Sequence, residues 1–184
     1  MTKLIILTLG WCVVLTDQVA AQKMMTQEST VSFFSEAVLE DITATTSKAQ
    51  GILNLENGEF FFRIPITSFL FENDLMREHF NENYMESEKY PYATFKGQLT
   101  DFAKAQLSGS SQTYEASGEL MIHGVTLPRT ITVTISGDSN QLSVQGDFQV
   151  LLEDYKIEIP RLVFQKIAES IDVKVSAQFA LMNK

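Results

Sequence analysis

The chain has 184 residues, enough for one domain with a sizeable core, and a formal net charge of -9. So acidic a surface argues against binding nucleic acid, or anionic lipid by charge. A single cysteine, Cys12, excludes an internal disulfide and a cysteine-based metal site.

At the N-terminus, Lys3 precedes an apolar run over residues 4–15 (LIILTLGWCVVL), and Val19-Ala20-Ala21 supplies the small residues that a signal peptidase reads. The run is too short to span a bilayer, which takes about 20 apolar residues. The order of charge, apolar run and small residues predicts a secretory signal peptide over residues 1–21, cut after Ala21 to leave Gln22 first. Cys12 is not read as a lipoprotein anchor, because bulky Trp11 precedes it and the apolar run continues past it. It leaves with the signal, and a mature chain without a thiol suits an oxidising compartment. Lys3 and Asp17 cancel, so the mature chain keeps the whole charge of -9. No later segment is apolar enough for an integral membrane span.

Beyond residue 22 the dominant period is two. Residues 29–38 and 50–55 read as early strands, and Asn57-Gly58 between apolar runs is a hairpin signal. In 59–67, Phe60, Phe62, Ile64 and Ile66 share one face. Residues 73–87 (NDLMREHFNENYMES) change to spacings of three and four, which predicts short helical turns capped by Asn73 or Asp74. Alternation resumes in 92–99 (Ala93, Phe95, Gly97, Leu99), 114–122 (Tyr114, Ala116, Gly118, Leu120, Ile122) and 127–135 (Leu127, Arg129, Ile131, Val133, Ile135). It continues in 142–150 (Leu142, Val144, Gly146, Phe148, Val150) and 171–181 (Ile171, Val173, Val175, Ala177, Phe179, Leu181). Such alternation marks strands with one buried and one wet face. Gly109-Ser110-Ser111 and residues 137–140 read as turns, and Pro160 as a strand break within a mixed stretch, 153–164. About eight strands with short connections predict an all-β fold, an antiparallel barrel or sandwich. Gly97, Gly118 and Gly146, all on inward faces, fit strands that coil strongly to close a barrel.

Little in the chain points to catalysis. His79 with Glu78, Glu82 and Glu86 could be drawn as a metal cluster, but one histidine among scattered glutamates reads as a solvated face. His123 lies beside Gly124 without an acid near it in sequence and reads as a turn residue. Ser108-Gly109-Ser110 lacks the strand-turn-helix context of a nucleophile elbow.

Two motifs carry a resemblance. Residues 89–97 (KYPYATFKG) resemble the YP-x-x-x-F signature of the YceI-like family, and residues 118–126 (GELMIHGVT) resemble its G-x-L-x-I-x-G-V-T signature. The resemblance covers nearly all of residues 22–184, read as one domain. It implies an eight-stranded antiparallel lipocalin-like barrel with a short helical insertion. It also implies an apolar interior that takes an isoprenoid chain, a quinone tail or polyprenyl lipid, along its axis. Residues 78–87 (EHFNENYMES) depart from the family's L-x-S-x-x-F-F-D pattern, which marks a divergent branch whose ligand can differ, for instance a fatty-acid-like chain.

With that resemblance, strand parity gives the ligand-facing residues: Phe60, Phe62, Phe95, Leu120, Ile122, Ile131, Val133, Val144, Phe148, Val173, Val175 and Phe179. They are read as cavity wall or core, since an eight-stranded barrel either fills with side chains or holds one small ligand. The leading expectation is a periplasmic or secreted protein that sequesters or carries a hydrophobic lipid, with no catalytic residue, no metal and no other cofactor. The alternative is an envelope stress or assembly factor with a filled barrel, touching a protein partner through exposed Phe61, Phe71, Phe80 and Tyr84. An enzyme acting on a lipid ranks last, and whether the chain pairs as a homodimer is left open.

Overall fold

The computed structural model describes residues 22–36, 41–103, 107, 109–159 and 168–182. The expected signal peptide, Ser108 and the expected strand break at Pro160 lie outside the described residues. Ten strands form one antiparallel sheet: β1 (Lys23–Ser35), β2 (Ile42–Thr46), β3 (Gln50–Asn54), β4 (Glu59–Pro65), β5 (Leu70–Phe71), β6 (Tyr92–Leu99), β7 (Gln112–Ile122), β8 (Val125–Gly137), β9 (Gln141–Leu151) and β10 (Ser170–Leu181). The strand order is β10-β9-β8-β7-β6-β4-β3-β1-β2-β5, and pairing of β10 with β1 closes the ring.

The barrel has eight staves because β2 and β3 are two halves of one. Residues 23–25 of β1 pair with β3, and residues 31–35 pair with β2. The corner between the halves is held by hydroxyls. Ser29 Oγ donates to the Ala49 carbonyl at 2.8 Å, Thr46 Oγ1 accepts from the Lys48 amide at 3.1 Å, and the Thr46 and Ser68 hydroxyls lie 2.7 Å apart. Period-two reading missed β2 because five residues ending at a corner carry little alternation. β5 pairs only with β2 and lies outside the ring. The weak pattern of residues 29–35 comes from a buried face that mixes Ser29 and Ser35 with Val31 while Phe34 is exposed, and β1 also carries a bulge between Thr26 and Glu28. One extra residue there resets the parity, so that Met24 before it and Val31 after it are both buried.

The hairpin turns obey their residue chemistry. At Asn57-Gly58 the Asn57 Oδ1 accepts from the Glu59 amide at 3.0 Å, and Gly58 has φ of +73°. His123 and Gly124 (φ +51° and +72°) form the two-residue link from β7 to β8, with positive φ at both positions as a type I′ turn requires. The link from β8 to β9 is closed by Asp138, whose carboxylate accepts from the Asn140 and Gln141 amides at 2.8 and 3.2 Å. Those donors hold its carboxyl below the usual range.

β8 and β9 pair only through residues 133–137 and 142–146. Beyond Gly146 the ladder ends, and Arg129, inward by parity, reaches over to donate to the Gln149 carbonyl. Residues 153–155 form a 3-10 turn rather than part of a strand. Tyr155 there is fully buried, in one cluster with Val125 and Leu127 of β8 and Phe148 of β9. The connection from β9 thus supplies the side chains that the parted strands leave room for.

The other break in the β pattern is the segment after β5. Asn73 Oδ1 accepts from the Leu75 amide at 2.8 Å and starts α1 (Asp74–His79), which widens into a π-helical turn at Phe80–Tyr84. The predicted helical turns and their cap are therefore present. None of the helices among the described residues is long and apolar enough to cross a membrane.

Candidate functional site: an apolar cavity along the barrel

The barrel is plugged at one end. Met24, Leu55 and Leu142 are fully buried there, packed with Leu53, Leu99, Tyr114 and Ile135. Above this plug the interior opens into two lobes, of about 120 and about 370 Å³. Ile64, Ala93, Leu120 and Phe148 line both and form the neck between them. The larger lobe ends under the helical segment, where Leu75 lines the cavity and is yet 55% exposed, which marks the mouth. A filled barrel, as the alternative reading required, is thereby corrected: inward side chains of eight staves leave volume in the range of small-molecule sites.

Of the twelve residues assigned inward from sequence, Phe60, Phe62, Phe95, Ile131, Val133, Val144, Val175 and Phe179 line the small lobe. Ile122 and Val173 line the large one, and Leu120 and Phe148 stand at the neck. Parity thus traced the regular strands. It missed the walls built by irregular elements: Val31 and Phe33 behind the bulge, and Phe69, Phe71, Phe80, Tyr84 and Met85 from β5 and the helical cap. Phe80 is the hinge pin of that cap. Its ring lies 5.4, 5.7 and 5.0 Å from the rings of Phe33, Phe69 and Phe71, spacings typical of favourable aromatic pairs.

This corrects a second expectation. Phe71, Phe80 and Tyr84, read as an exposed partner patch, face the large lobe, and burial pushes the Tyr84 phenol above its ordinary pKa. Phe61 alone of the four is largely exposed, at 41%, in a register row with Ile52 and Met25, and with Ile52 it also borders the small lobe.

The cavity wall offers almost nothing but hydrocarbon. Among the described residues its polar side chains are Ser35, Asn73, His79 and Tyr84 in the large lobe and Thr94 in the small one. Ser35 Oγ already accepts from the Ala168 amide at 3.0 Å, and Asn73 caps α1. His79 lines the large lobe, whereas Glu78, Glu82 and Glu86 border a separate surface groove. The cluster drawn from sequence is therefore not assembled around His79.

Glu86 instead reaches His123, an acid that sequence proximity could not reveal. Its Oε2 lies 2.9 Å from His123 Nε2, while His123 Nδ1 donates to the Tyr155 carbonyl at 3.1 Å. The Tyr90 ring packs on the His123 ring at 4.7 Å, and a Cβ at Gly124 would fall 2.4 Å from Tyr90 Cε1. One histidine thus ties together the end of the cap, the β7–β8 turn and the connection after β9. His123→Ala should cost about 1–3 kcal/mol, the range for leaving a buried hydrogen-bonding group without its partner, with Glu86→Gln milder. Urea denaturation reads the loss, and proteolysis within residues 73–87 should be faster in His123→Ala. Equal cleavage rates would show that the latch does not hold the cap.

Phe95 tests the parity directly. Its ring, 4.9 Å from that of Phe60, lines the small lobe, while Lys96 points outward. Because one side of the ring faces empty space, Phe95→Ala should cost about 1–3 kcal/mol rather than the 3–5 of a close-packed aromatic, while weakening retention of an apolar chain. Lys96→Ala should stay within about 0.5 kcal/mol. If chemical denaturation shows Lys96→Ala to be the damaging change, the strand is inverted.

The two motifs now have a structural meaning. Tyr90 of the first packs on Gly124 of the second, and Phe95 of the first pairs across the ladder with Leu120 of the second. The YceI-like domain model matches residues 23–179, from the start of β1 to near the end of β10. The chain belongs to the YceI-like family. Among solved structures, this YceI-like protein is similar to a polyisoprenoid binding domain from Saccharophagus degradans implicated in plant cell wall breakdown. That likeness has a TM-score of 0.77 at 19% identity, over 86% of this chain and 98% of that one. It is also similar to BcnA of Burkholderia cenocepacia (TM-score 0.69, 16% identity, 82% and 95% covered). A third similar structure is the Campylobacter jejuni YceI protein (TM-score 0.56, 14% identity, all of both chains). At such identities the likeness shows the shared fold, a closed eight-stranded antiparallel barrel with one short helix. A comparison with curated proteins finds no match.

Proposed function

We propose that this YceI-like protein binds one long apolar chain inside its barrel and sequesters or carries it in the cell envelope, without chemically changing it. The observation that carries this reading is the two-lobed cavity, walled by hydrocarbon and open at the cap. Burial of a hydrocarbon chain contributes about 0.8 kcal/mol for each CH₂, so a chain of ten or more carbons is retained without any charged contact. The polyisoprenoid-binding relative favours an isoprenoid, a quinone tail or polyprenyl lipid, over a fatty-acyl chain. The polar head of the ligand would lie at the mouth, beside Leu75 and His79. The signal-like residues 1–21 support export to the periplasm or beyond, with a mature protein that starts at Gln22.

The test is a titration of the mature protein with a fluorescent polyene fatty acid, followed by displacement with prenyl alcohols. One probe per chain, displaced by the alcohols and weakened by Phe148→Trp at the neck, is the expected result. Absence of any saturable binding would overturn the reading. The outward row of Met25, Ile52 and Phe61 supports a second, compatible role for protein contact, including a homodimer.

A further inference from the structure

The cavity has a close-packed floor, a measurable volume and a mouth beside Leu75, and these three features together limit what fits. An apolar cavity of about 150 Å³ holds one benzene, so each carbon needs about 25 Å³. By that measure the large lobe, of about 370 Å³, takes about fifteen carbons. The small lobe, of about 120 Å³, takes about five more. We infer that the barrel is a length gauge for its ligand: it houses about four isoprene units, three in the large lobe and one past the neck, and leaves anything longer in water at the mouth. The inference rests on the apolar-chain reading above and adds to it the size of the chain.

The floor gives the gauge its zero. Leu99, Ile135 and Phe179 line the small lobe and also belong to the cluster that contains fully buried Met24, Leu55 and Leu142. A chain end that has passed the neck therefore meets close-packed side chains and cannot run through the barrel. The neck gives it selectivity along its length. Ile64, Ala93, Leu120 and Phe148 border both spaces and stand between them, so a chain that threads past them must lead with a slender end, and any bulky ring must remain in the large lobe or at the mouth.

The experiment is a competition series on the mature wild-type protein, with prenyl alcohols of two, three, four and eight isoprene units displacing the fluorescent fatty acid. Each buried methylene is worth about fourfold in affinity, so the expected steps from two to three and from three to four units are tenfold or more. From four to eight units the gain should be less than about threefold, because the added carbons stay in water. A further gain of tenfold or more at eight units would overturn the gauge while leaving the apolar-chain reading intact. Failure of the probe and of every alcohol to bind would instead remove that reading.

Two substitutions move the gauge in opposite directions. Ala177 lines the small lobe, and Ala177→Leu should fill most of it, so that affinity stops rising at three units. Leu99→Ala deepens the floor, so that a five-unit alcohol should bind more tightly than a four-unit one, by about tenfold. Circular dichroism and thermal melting establish that each variant is folded. A folded Ala177→Leu whose affinity still rises to four units would overturn the gauge, and if neither variant folds the wild-type series decides alone.

Discussion

Gly97→Val should unfold the barrel rather than locally strain it. Gly97 of β6 and Gly118 of β7 face each other in the ladder. A Cβ built on Gly97 would lie 2.1 Å from the Ser117 carbonyl oxygen and 2.7 Å from Gly118 Cα. Both obstacles are backbone, so no rotamer change relieves them, and the two strands would have to part. Overpacking in cores costs about 1–3 kcal/mol when side chains can yield. Here they cannot, and the loss should exceed about 4 kcal/mol, a large part of the 5–15 kcal/mol that a domain has. Gly146→Ala is the control. Its added Cβ would meet Val133 Cγ1 at 3.1 Å, a side-chain atom that can yield, so the expected cost is below about 1.5 kcal/mol. Urea denaturation of both variants checks the pair. Equal, small losses would show that β6 and β7 do not approach as closely as described.

Tyr155 should respond in opposite directions to two substitutions. It is fully buried, and its hydroxyl has no hydrogen-bond partner among the described residues. Burial pushes the phenol above its ordinary pKa, a trend that the charge of Arg129 opposes. An unpaired buried hydroxyl costs about 1–3 kcal/mol, whereas the ring fills space that the parted β8 and β9 leave. Tyr155→Phe should therefore be neutral or stabilise by up to about 2 kcal/mol, and Tyr155→Ala should lose about 3–5 kcal/mol. Thermal melts in parallel with denaturant curves decide it. A Tyr155→Phe variant that loses more than about 1 kcal/mol would mean that the hydroxyl has a partner holding the loop.

What was legible in the sequence follows the physics of each element. Long strands with one apolar face announce themselves through period two, so β4, β6, β7, β8, β9 and β10 and their inward residues could be read directly. Turns were legible where backbone conformation demands particular residues, as at Asn57-Gly58 and at residues 137–140. Three kinds of information were not. A strand whose buried face mixes polar with apolar residues has no clear period: Ser29 and Ser35 are buried on the same face as Val31 while Phe34 is exposed, which hid Val31 and Phe33. Phe71 and Phe80 looked exposed because a two-residue strand and a short helix have no period, and only the fold lays them over the mouth. The approach of Glu86 to His123 joins positions 37 residues apart, and nothing local foretells it. The three inward glycines looked equivalent, yet only Gly97 and Gly118 meet backbone against backbone.

The central claim, that the barrel interior is a site for one apolar chain, is most directly tested by a crystal structure of residues 22–184 grown with a four-unit prenyl alcohol. The account predicts continuous density from the mouth beside Leu75, through the neck of Ile64, Ala93, Leu120 and Phe148, to a chain end against Leu99 and Phe179. Density confined to the outer surface, or an interior closed by inward collapse of Phe33, Phe80 and Phe148, would contradict it.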